Sequence, residues 1–206
     1  MFETLLNGIT RGAIYALISL GYTMVYGILG MINFAHGEIY MVCMFVGIIT
    51  LALLTTLGLT TLGVSLCLVL ALVTAMTVSA AFGFSNERIA YRPLRGAHVL
   101  APLISAIGVS TFLQNFVMNA QSKDKVDFPK QFSGPLWEYK FQLGETKVAL
   151  VQVIILVVAV ALMIALHLFV SRTRLGKAMR AVAQDKTMAA MVGIPIDRVI
   201  SVTFII

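Results

Sequence analysis

Residues 39–86 read IYMVCMFVGIITLALLTTLGLTTLGVSLCLVLALVTAMTVSAAFGFSN, a run of 48 residues without one charged side chain. A helix rises about 1.5 Å per residue, so about 20 residues cross the hydrocarbon of a bilayer. The run is therefore long enough for two crossings. It breaks at Thr55-Thr56-Leu57-Gly58-Leu59-Thr60-Thr61-Leu62-Gly63, where glycines among threonines suit a tight turn at a membrane face. The prediction is a pair of membrane helices joined by that turn.

Outward from this stretch the pattern repeats. Between Gly12 and Asn86 the one charged residue is Glu38, and Val99 to Ser122 and Val148 to Ser171 are charge-free runs of 24 residues each. Each of these holds one span with room for tilt. The predicted spans are 5–28, 38–57, 63–85, 99–119 and 148–170, and a sixth apolar run begins near Arg198 and reaches Ile206 without the length to cross. The fold class is thus an all-α polytopic transmembrane helical bundle, with five full spans plus the start of a sixth. Residues 1–206 form a single transmembrane domain, expected to be incomplete at its C-terminus.

Composition says the same. Of 206 residues, 59% are hydrophobic and 12% are charged, about half the charge of an ordinary soluble domain. So little polar material cannot cover so much apolar side chain in water. A soluble enzyme, a disordered tail and a disulfide-built secreted domain are excluded. The formal net charge of +6 leaves no basic surface for nucleic acid, because the cations fall in short clusters between apolar runs. Cys43 and Cys67 lie inside apolar runs without a CxxC pattern and read as small buried hydrophobes. The N-terminus lacks a basic n-region, so its first apolar segment is expected to stay in the mature protein.

The clusters orient the chain. Segment 86–98 holds Arg88, Arg92 and Arg95, and segment 171–198 holds Arg172, Arg174, Lys177, Arg180, Lys186 and Arg198. Two spans separate the segments, so they share a side, and their basic excess marks it as cytoplasmic. Segment 119–147 is then the outer loop, and the N-terminus lies outside. Within the loop, Trp137-Glu-Tyr139-Lys-Phe141-Gln-Leu143 alternates apolar and polar residues, which suits a short strand or hairpin, an interfacial aromatic belt, or a surface for an external partner.

Three local features bear on function. In Gly27-Ile-Leu-Gly30-Met-Ile-Asn33-Phe-Ala-His36-Gly37-Glu38, polar and ionisable residues sit near membrane depth among helix-weakening glycines. Two readings stand: a loop in which Asn33 caps the next helix and Glu38 sits in its first turn, or a broken helix lining a translocation path. The second makes Asn33, His36, Gly37 and Glu38 candidate pathway residues. Small residues recur at Ala71, Ala75, Ser79 and Gly83, and at Gly8, Gly12 and Ala16, a pattern for close helix packing. Finally, segment 171–198 reads as a basic, Met-bearing amphipathic hairpin. Leu175, Met179 and Val182 form its apolar stripe, Gly193 and Pro195 stop it, and Asp197 is placed to cap the next span. Its small residues suit the groove of a soluble partner better than a lipid surface.

These residues resemble the membrane permease subunit of bacterial branched-chain amino-acid ABC importers. The likeness is carried by Asn7-Gly8-Ile-Thr-Arg-Gly-Ala-Ile-Tyr15-Ala-Leu, Gly21-Tyr22-Thr-Met-Val-Tyr26-Gly and Met31-Ile-Asn33-Phe-Ala-His36-Gly37-Glu38. It continues through Glu87-Arg88-Ile-Ala-Tyr91-Arg92-Pro93-Leu94-Arg95, Ala101-Pro102-Leu-Ile-Ser-Ala-Ile-Gly108 and the segment from Arg174 to Arg198. The resemblance implies a multi-pass protein of the bacterial inner (plasma) membrane that passes branched-chain amino acids. It implies a second related permease, two cytoplasmic ATPase subunits and a periplasmic substrate-binding protein as partners. It also makes 171–198 the cytoplasmic coupling segment, with Gly176, Met179, Arg180, Ala183, Gln184, Asp185 and Gly193 as candidate ATPase-coupling residues. Similar permeases carry urea or amides.

No GxxxxGK[ST] phosphate loop occurs in the chain, so it does not itself bind and hydrolyse ATP in the P-loop manner. Energy comes from a partner or from an ion gradient, and the resemblance implies ATP on partner subunits. No catalytic residue, metal set or cofactor of its own is expected: one His and one carboxylate, at His36 and Glu38, make no ligand set. The rival reading is an ion-coupled secondary transporter or channel in which those two groups carry protons or bind substrate.

Overall fold

The computed structural model describes residues 2–30, 32–59, 63–95, 97–98, 100–121, 140–143 and 146–206. Five helices in it are long and apolar enough to cross a membrane. They are α1 (Phe2–Leu29), α2 (His36–Thr56), α3 (Val64–Asn86), α4 (Leu100–Gln121) and α5 (Leu150–Arg172). Two short helices follow, α6 (Arg174–Gln184) and α7 (Lys186–Met191), and then α8 (Ile196–Ile205). The chain is an all-α polytopic bundle, and each predicted span lies within a few residues of its helix. An antiparallel hairpin of β1 (Lys140–Leu143) and β2 (Thr146–Ala149) leads into α5, with Lys140 opposite Ala149. Trp137 and Tyr139, and with them most of the outer-loop reading, lie outside the described residues, as do Thr60–Leu62 of the predicted turn.

The deciding stretch folds as its composition requires. Helices α2 and α3 form the most extensive helix pair. Leu51 and Leu54 of α2 close on Cys67 and Ala71 of α3, and the Thr50 and Thr74 hydroxyls meet at 3.1 Å. Small side chains at the seam allow that approach. The other end of the small-residue stripe meets a different partner. At Gly83 a Cβ would collide with the Phe204 carbonyl oxygen, so α8 rests directly on the α3 backbone. At Gly8 and Gly12 a Cβ would meet nothing within 4 Å among the described residues, so those two glycines of the α1 stripe make no close helix contact there.

Segment 86–98 departs from the predicted loop. The α3 rod continues through a π turn (Glu87–Tyr91) and a 3-10 turn (Arg92–Leu94), giving a helical run from Val64 to Leu94. Glu87 does not end the helix because its charge is met locally, as described below. Pro93 lacks an N–H and ends the rod instead, and the Ser105 hydroxyl of α4 donates to the Ala90 carbonyl at 3.2 Å within the widened turn.

The two ends of the bundle differ. At one, Gln152 of α5 donates to Asn7 of α1 at 2.6 Å. At the other, Lys186 donates to the Leu29 carbonyl of α1 at 3.4 Å, and Arg95 pairs with Asp197. Helices α1 and α5 therefore run in the same direction, and segments 86–98 and 171–198 share one end, hereafter the basic end. The main core sits there, where Val25 and Ile28 of α1 meet Tyr91, Met179, Val182 and Val199.

Candidate functional site

The break between α1 and α2 follows from its sequence. Gly30 takes a left-handed conformation (φ 74°) and closes α1 by donating to the Tyr26 carbonyl at 2.8 Å, a conformation that costs other residues more. Asn33 then turns the chain: its Oδ1 accepts from the Ala35 N–H at 3.1 Å. It is not the cap of α2. That position is held by Ala35, which makes no side-chain cap.

Asn33 is only 2% exposed, and its Oδ1 is a meeting point. The Tyr91 hydroxyl donates to it at 2.9 Å and Asn86 Nδ2 at 3.5 Å. One residue along, Glu87 is fully buried. It pairs with Arg95 and accepts from the Ser201 hydroxyl of α8 at 2.8 Å. Arg95 also reaches Asp197, and Arg92 approaches Asp197 at 3.5 Å. Asp197 therefore serves this ion-pair cluster and does not cap α8, whose N-cap is Pro195. A buried charge is tolerated only when paired and hydrogen-bonded, and Glu87 is both. Asn86 and Glu87 are neighbours in sequence, so the Asn33 network on the α1–α2 break and the Glu87 network on the start of α8 adjoin at the end of α3 and form a polar knot there.

The other candidates of the break lie close by. The His36 ring packs against Tyr22 in a tilted arrangement, centroids 4.6 Å apart and planes at 59°, and it fits because Gly21 has no side chain: a Cβ there would sit 2.6 Å from the ring. Gly37 lies below the Tyr22 hydroxyl, 3.5 Å from where a Cβ would stand. Glu38, in the first turn of α2 as predicted, accepts from the Ser110 hydroxyl of α4 at 3.4 Å. Asn33 and His36 border a cavity of about 320 Å³ whose wall also includes Gly21, Val25, Cys43 and Thr203. The cavity is mostly apolar with a few polar groups, a composition typical of small-ligand sites. Gly37 and Glu38 are not part of its wall.

The α6–α7 hairpin is built on its own caps. Thr173 accepts from the Gly176 N–H at 3.0 Å, and Asp185 accepts from the N–H groups of Thr187 and Met188 at 2.8 and 3.0 Å. Gly193, at φ 83°, lets the chain reverse into α8 without the steric cost of a Cβ. Its inward face is Gly176, Met179 and Val182, whereas Leu175 is exposed. The predicted stripe was off by one residue at that end. At Gly176 a Cβ would collide with the Phe169 and Val170 carbonyl oxygens, so the glycine sets the sharp bend from α5 into α6. Of the seven coupling candidates, Gly176 and Met179 are thus internal supports. Arg180 is exposed and donates to the Val170 carbonyl at 2.7 Å. Ala183, Gln184, Asp185 and Gly193 are exposed.

Sequence reasoning missed the residues that do most at the basic end: Asn86, Glu87, Tyr91, Arg95, Ser201 and Lys186. One signal was available, an Asn-Glu pair closing a 48-residue apolar run. It also missed Met188, Met191 and Val192, which stand 62%, 77% and 76% exposed on one end of the hairpin. Among the described residues, no three His, Cys, Asp or Glu side chains gather as a metal set.

Residues 4–206 match the family described as the branched-chain amino acid transport system permease component. The chain is 46% identical over 204 residues to the high-affinity branched-chain amino acid transport system permease protein BraD of Pseudomonas aeruginosa. It is 43% identical over 205 residues to LivH of Salmonella typhimurium and 43% over 204 to LivH of Escherichia coli, both named as permease proteins of the same kind of system. Each match covers 99% of this chain and 66% of the relative, so the chain spans about two thirds of the length of these proteins. No solved structure matches it.

Proposed function

This chain belongs to the branched-chain amino acid transport permease family, and on that premise we propose that it is a membrane-spanning subunit of an ATP-driven importer. It would sit in the bacterial inner membrane and pass branched-chain amino acids. Its partners are a second related permease, two cytoplasmic ATPases that hold the ATP, and a periplasmic substrate-binding protein. The nine Lys and Arg of segments 86–98 and 171–198 set the basic end in the cytoplasm.

The observation that carries the reading is the α6–α7 hairpin. It is a capped, rigid element at the cytoplasmic end, packed on α1, α5 and α8, and it presents Met188, Met191 and Val192 to the outside. Flexible apolar side chains on a rigid helical end suit a groove in a soluble partner. Ala183, Gln184, Asp185 and Gly193 edge the same surface. Motion received there has a physical route inward: Lys186 holds the last turn of α1, and the α1–α2 break with Asn33, His36, Gly37 and Glu38 follows directly. The break is the candidate gate. A shift between inward- and outward-open states, biased by the ATPases, is the mechanism.

The test is uptake of labelled L-leucine into vesicles that hold all four kinds of subunit. Paired Met191→Glu and Val192→Glu changes should lower ATP-driven uptake about ten-fold or more, as loss of an interface anchor does, while membrane insertion is unchanged. Uptake that persists on an ion gradient with the ATPases absent overturns the reading.

A further inference from the structure

α1 is two-faced in a way the other spans are not. At 100° per residue, a 100° arc of this helix from Gly8 onward holds seven residues: Gly8, Gly12, Tyr15, Ser19, Tyr22, Thr23 and Tyr26. None is aliphatic, although the helix as a whole is mostly so. α4 also exposes Thr111, Gln114, Asn115 and Asn119, but the large exposed side chains of the other spans are mostly apolar, with Leu72 and Met76 on α3, Ile104 and Phe112 on α4, and Val157, Leu162 and Ile164 on α5. Those side chains are at home against lipid tails.

The arc is open. Tyr15 is 70% exposed and Tyr26 53%, Ser19 and Thr23 are exposed with them, and their side chains border a groove of about 470 Å³ floored by Ile18 and Ile32. Thr23 returns its hydroxyl to the Leu20 carbonyl at 2.9 Å. The Tyr15, Ser19 and Tyr26 hydroxyls have no partner among the described residues. From Tyr15 to Tyr26 the stripe extends about 16 Å along the axis, half the thickness of the hydrocarbon. Side chains near a headgroup layer can turn toward it, but a serine midway along such a stripe has no reach. Hydroxyls without partners are costly in hydrocarbon, so this face meets something polar.

We propose that this face of α1 is a wall of a water-filled translocation path and contacts the charged ends of the passing amino acid. The proposal rests on the permease reading. A hydroxyl both donates and accepts, so the stripe serves the carboxylate and the ammonium alike, and the tyrosine ring faces attract the ammonium. The arc carries no ionised side chain that would hold a zwitterion fast, and weak, repeated sites favour passage over storage. Tyr22 joins the stripe to the α1–α2 break through its contact with His36.

The experiment is cysteine accessibility in the assembled importer, in membrane vesicles. The native thiols are removed by Cys43→Ala and Cys67→Ala, and Tyr15→Cys, Ser19→Cys, Thr23→Cys or the lipid-side control Leu162→Cys is introduced. Each variant is treated with a charged, membrane-impermeant methanethiosulfonate and with a lipid-soluble maleimide, with and without L-leucine. The stripe cysteines should react with the charged reagent about ten-fold or more faster than Leu162→Cys, because the reactive thiolate forms where water reaches it. L-leucine should slow that reaction several-fold. Labelling by the lipid-soluble reagent alone, at the rate of the control, places the stripe against lipid and overturns the proposal. Labelling by neither reagent places it against a second permease and also overturns it. Labelling that L-leucine leaves unchanged removes the amino acid as the occupant. Uptake measured in the same vesicles separates the two claims: intact uptake without the labelling pattern sinks the stripe alone. Absence of ATP-driven uptake in the unmodified assembly sinks the permease reading and, with it, the amino acid as occupant.

Discussion

Two regions hold polar side chains deep in this apolar chain, and they treat them in opposite ways. In the knot at the basic end, Tyr91 bonds to Asn33, and Arg95 and Ser201 bond to Glu87; these groups are largely shielded, and only Asn86 Oδ1 and Arg95 Nε are buried there without a partner among the described residues. On the open arc of α1, Tyr15, Ser19 and Tyr26 turn outward. Polar groups satisfied within a chain fix its shape, since each partner's loss strands the other. Polar groups left open specify their surroundings instead. The same residue chemistry thus acts as a structural clamp at the basic end and marks an interface with water along α1. The contrast predicts that substitutions in the knot will be read in stability, and substitutions on the arc in accessibility and transport.

The sharpest way to break the contrast is at Glu87. Glu87→Ala removes the carboxylate from Arg95 and from Ser201, leaving a mostly buried guanidinium with only the more exposed Asp197. Removing one partner of a buried pair costs about 3–5 kcal/mol, the largest effect expected from any single change here. Thermal unfolding of the purified chain in detergent measures it. Adding Arg95→Met should recover much of the loss, because the stranded charge is then gone. If Glu87→Ala unfolds with the wild type, the knot is not a clamp and the comparison fails.

How much of this was legible in the sequence depends on the length scale of the signal. Spans were legible because hydrocarbon imposes a length: the charge-free runs at 39–86, 99–122 and 148–171 needed only counting. The break at Gly30–Asn33 and the stop at Gly193–Pro195 were legible because backbone conformation depends on local residue type. The knot was not. Glu87 and Asp197 are 110 residues apart in the numbering, and a π turn at Glu87–Tyr91 shifts the helical register that would have been used to place them. Arg88, Arg92 and Arg95 therefore read alike as loop cations, whereas Arg95 is the bridge between two acids. The hairpin shows the same limit. Its helical period was visible, but which residues faced inward depended on the bend at Gly176, where no side chain fits against the Phe169 and Val170 carbonyls. Leu175 was consequently placed on the wrong face.

Two glycines sharpen the comparison at an intermediate scale. Gly83 lies under the Phe204 carbonyl, and Gly12 lies on the open arc, where a Cβ would meet nothing within 4 Å among the described residues. Both belong to small-residue stripes that read identically. Gly83→Ala forces α8 off α3 and should cost about 1–3 kcal/mol, the usual penalty for overpacking. Gly12→Ala should leave the isolated chain unchanged or slightly more stable, since alanine is the better helix former. Unfolding of both variants side by side is the measurement. Equal destabilisation would mean that the arc packs within the chain after all.

The smallest effect, and the most discriminating, is expected at Lys186, because α1 belongs to both regions. Its buried face ends in the main core with Val25 and Ile28, its open face is the hydroxyl arc, and Lys186 grips its last turn from α7 through the Leu29 carbonyl. A cation at a helix C-terminus is worth about 0.3–1 kcal/mol. Lys186→Met keeps the apolar stem and removes the charge, so stability should fall by no more than that. Transport should respond differently. If motion of the hairpin reaches α1 through this contact, Lys186→Met lowers leucine uptake per ATP hydrolysed while hydrolysis itself continues. Lys186→Arg, which can still donate to the carbonyl, should restore the ratio. A variant whose uptake and hydrolysis fall together would show that Lys186 only supports the hairpin. In that case the route from hairpin to gate must run through the other contacts of α1, the packing of Val25 and Ile28 against Met179 and Val182.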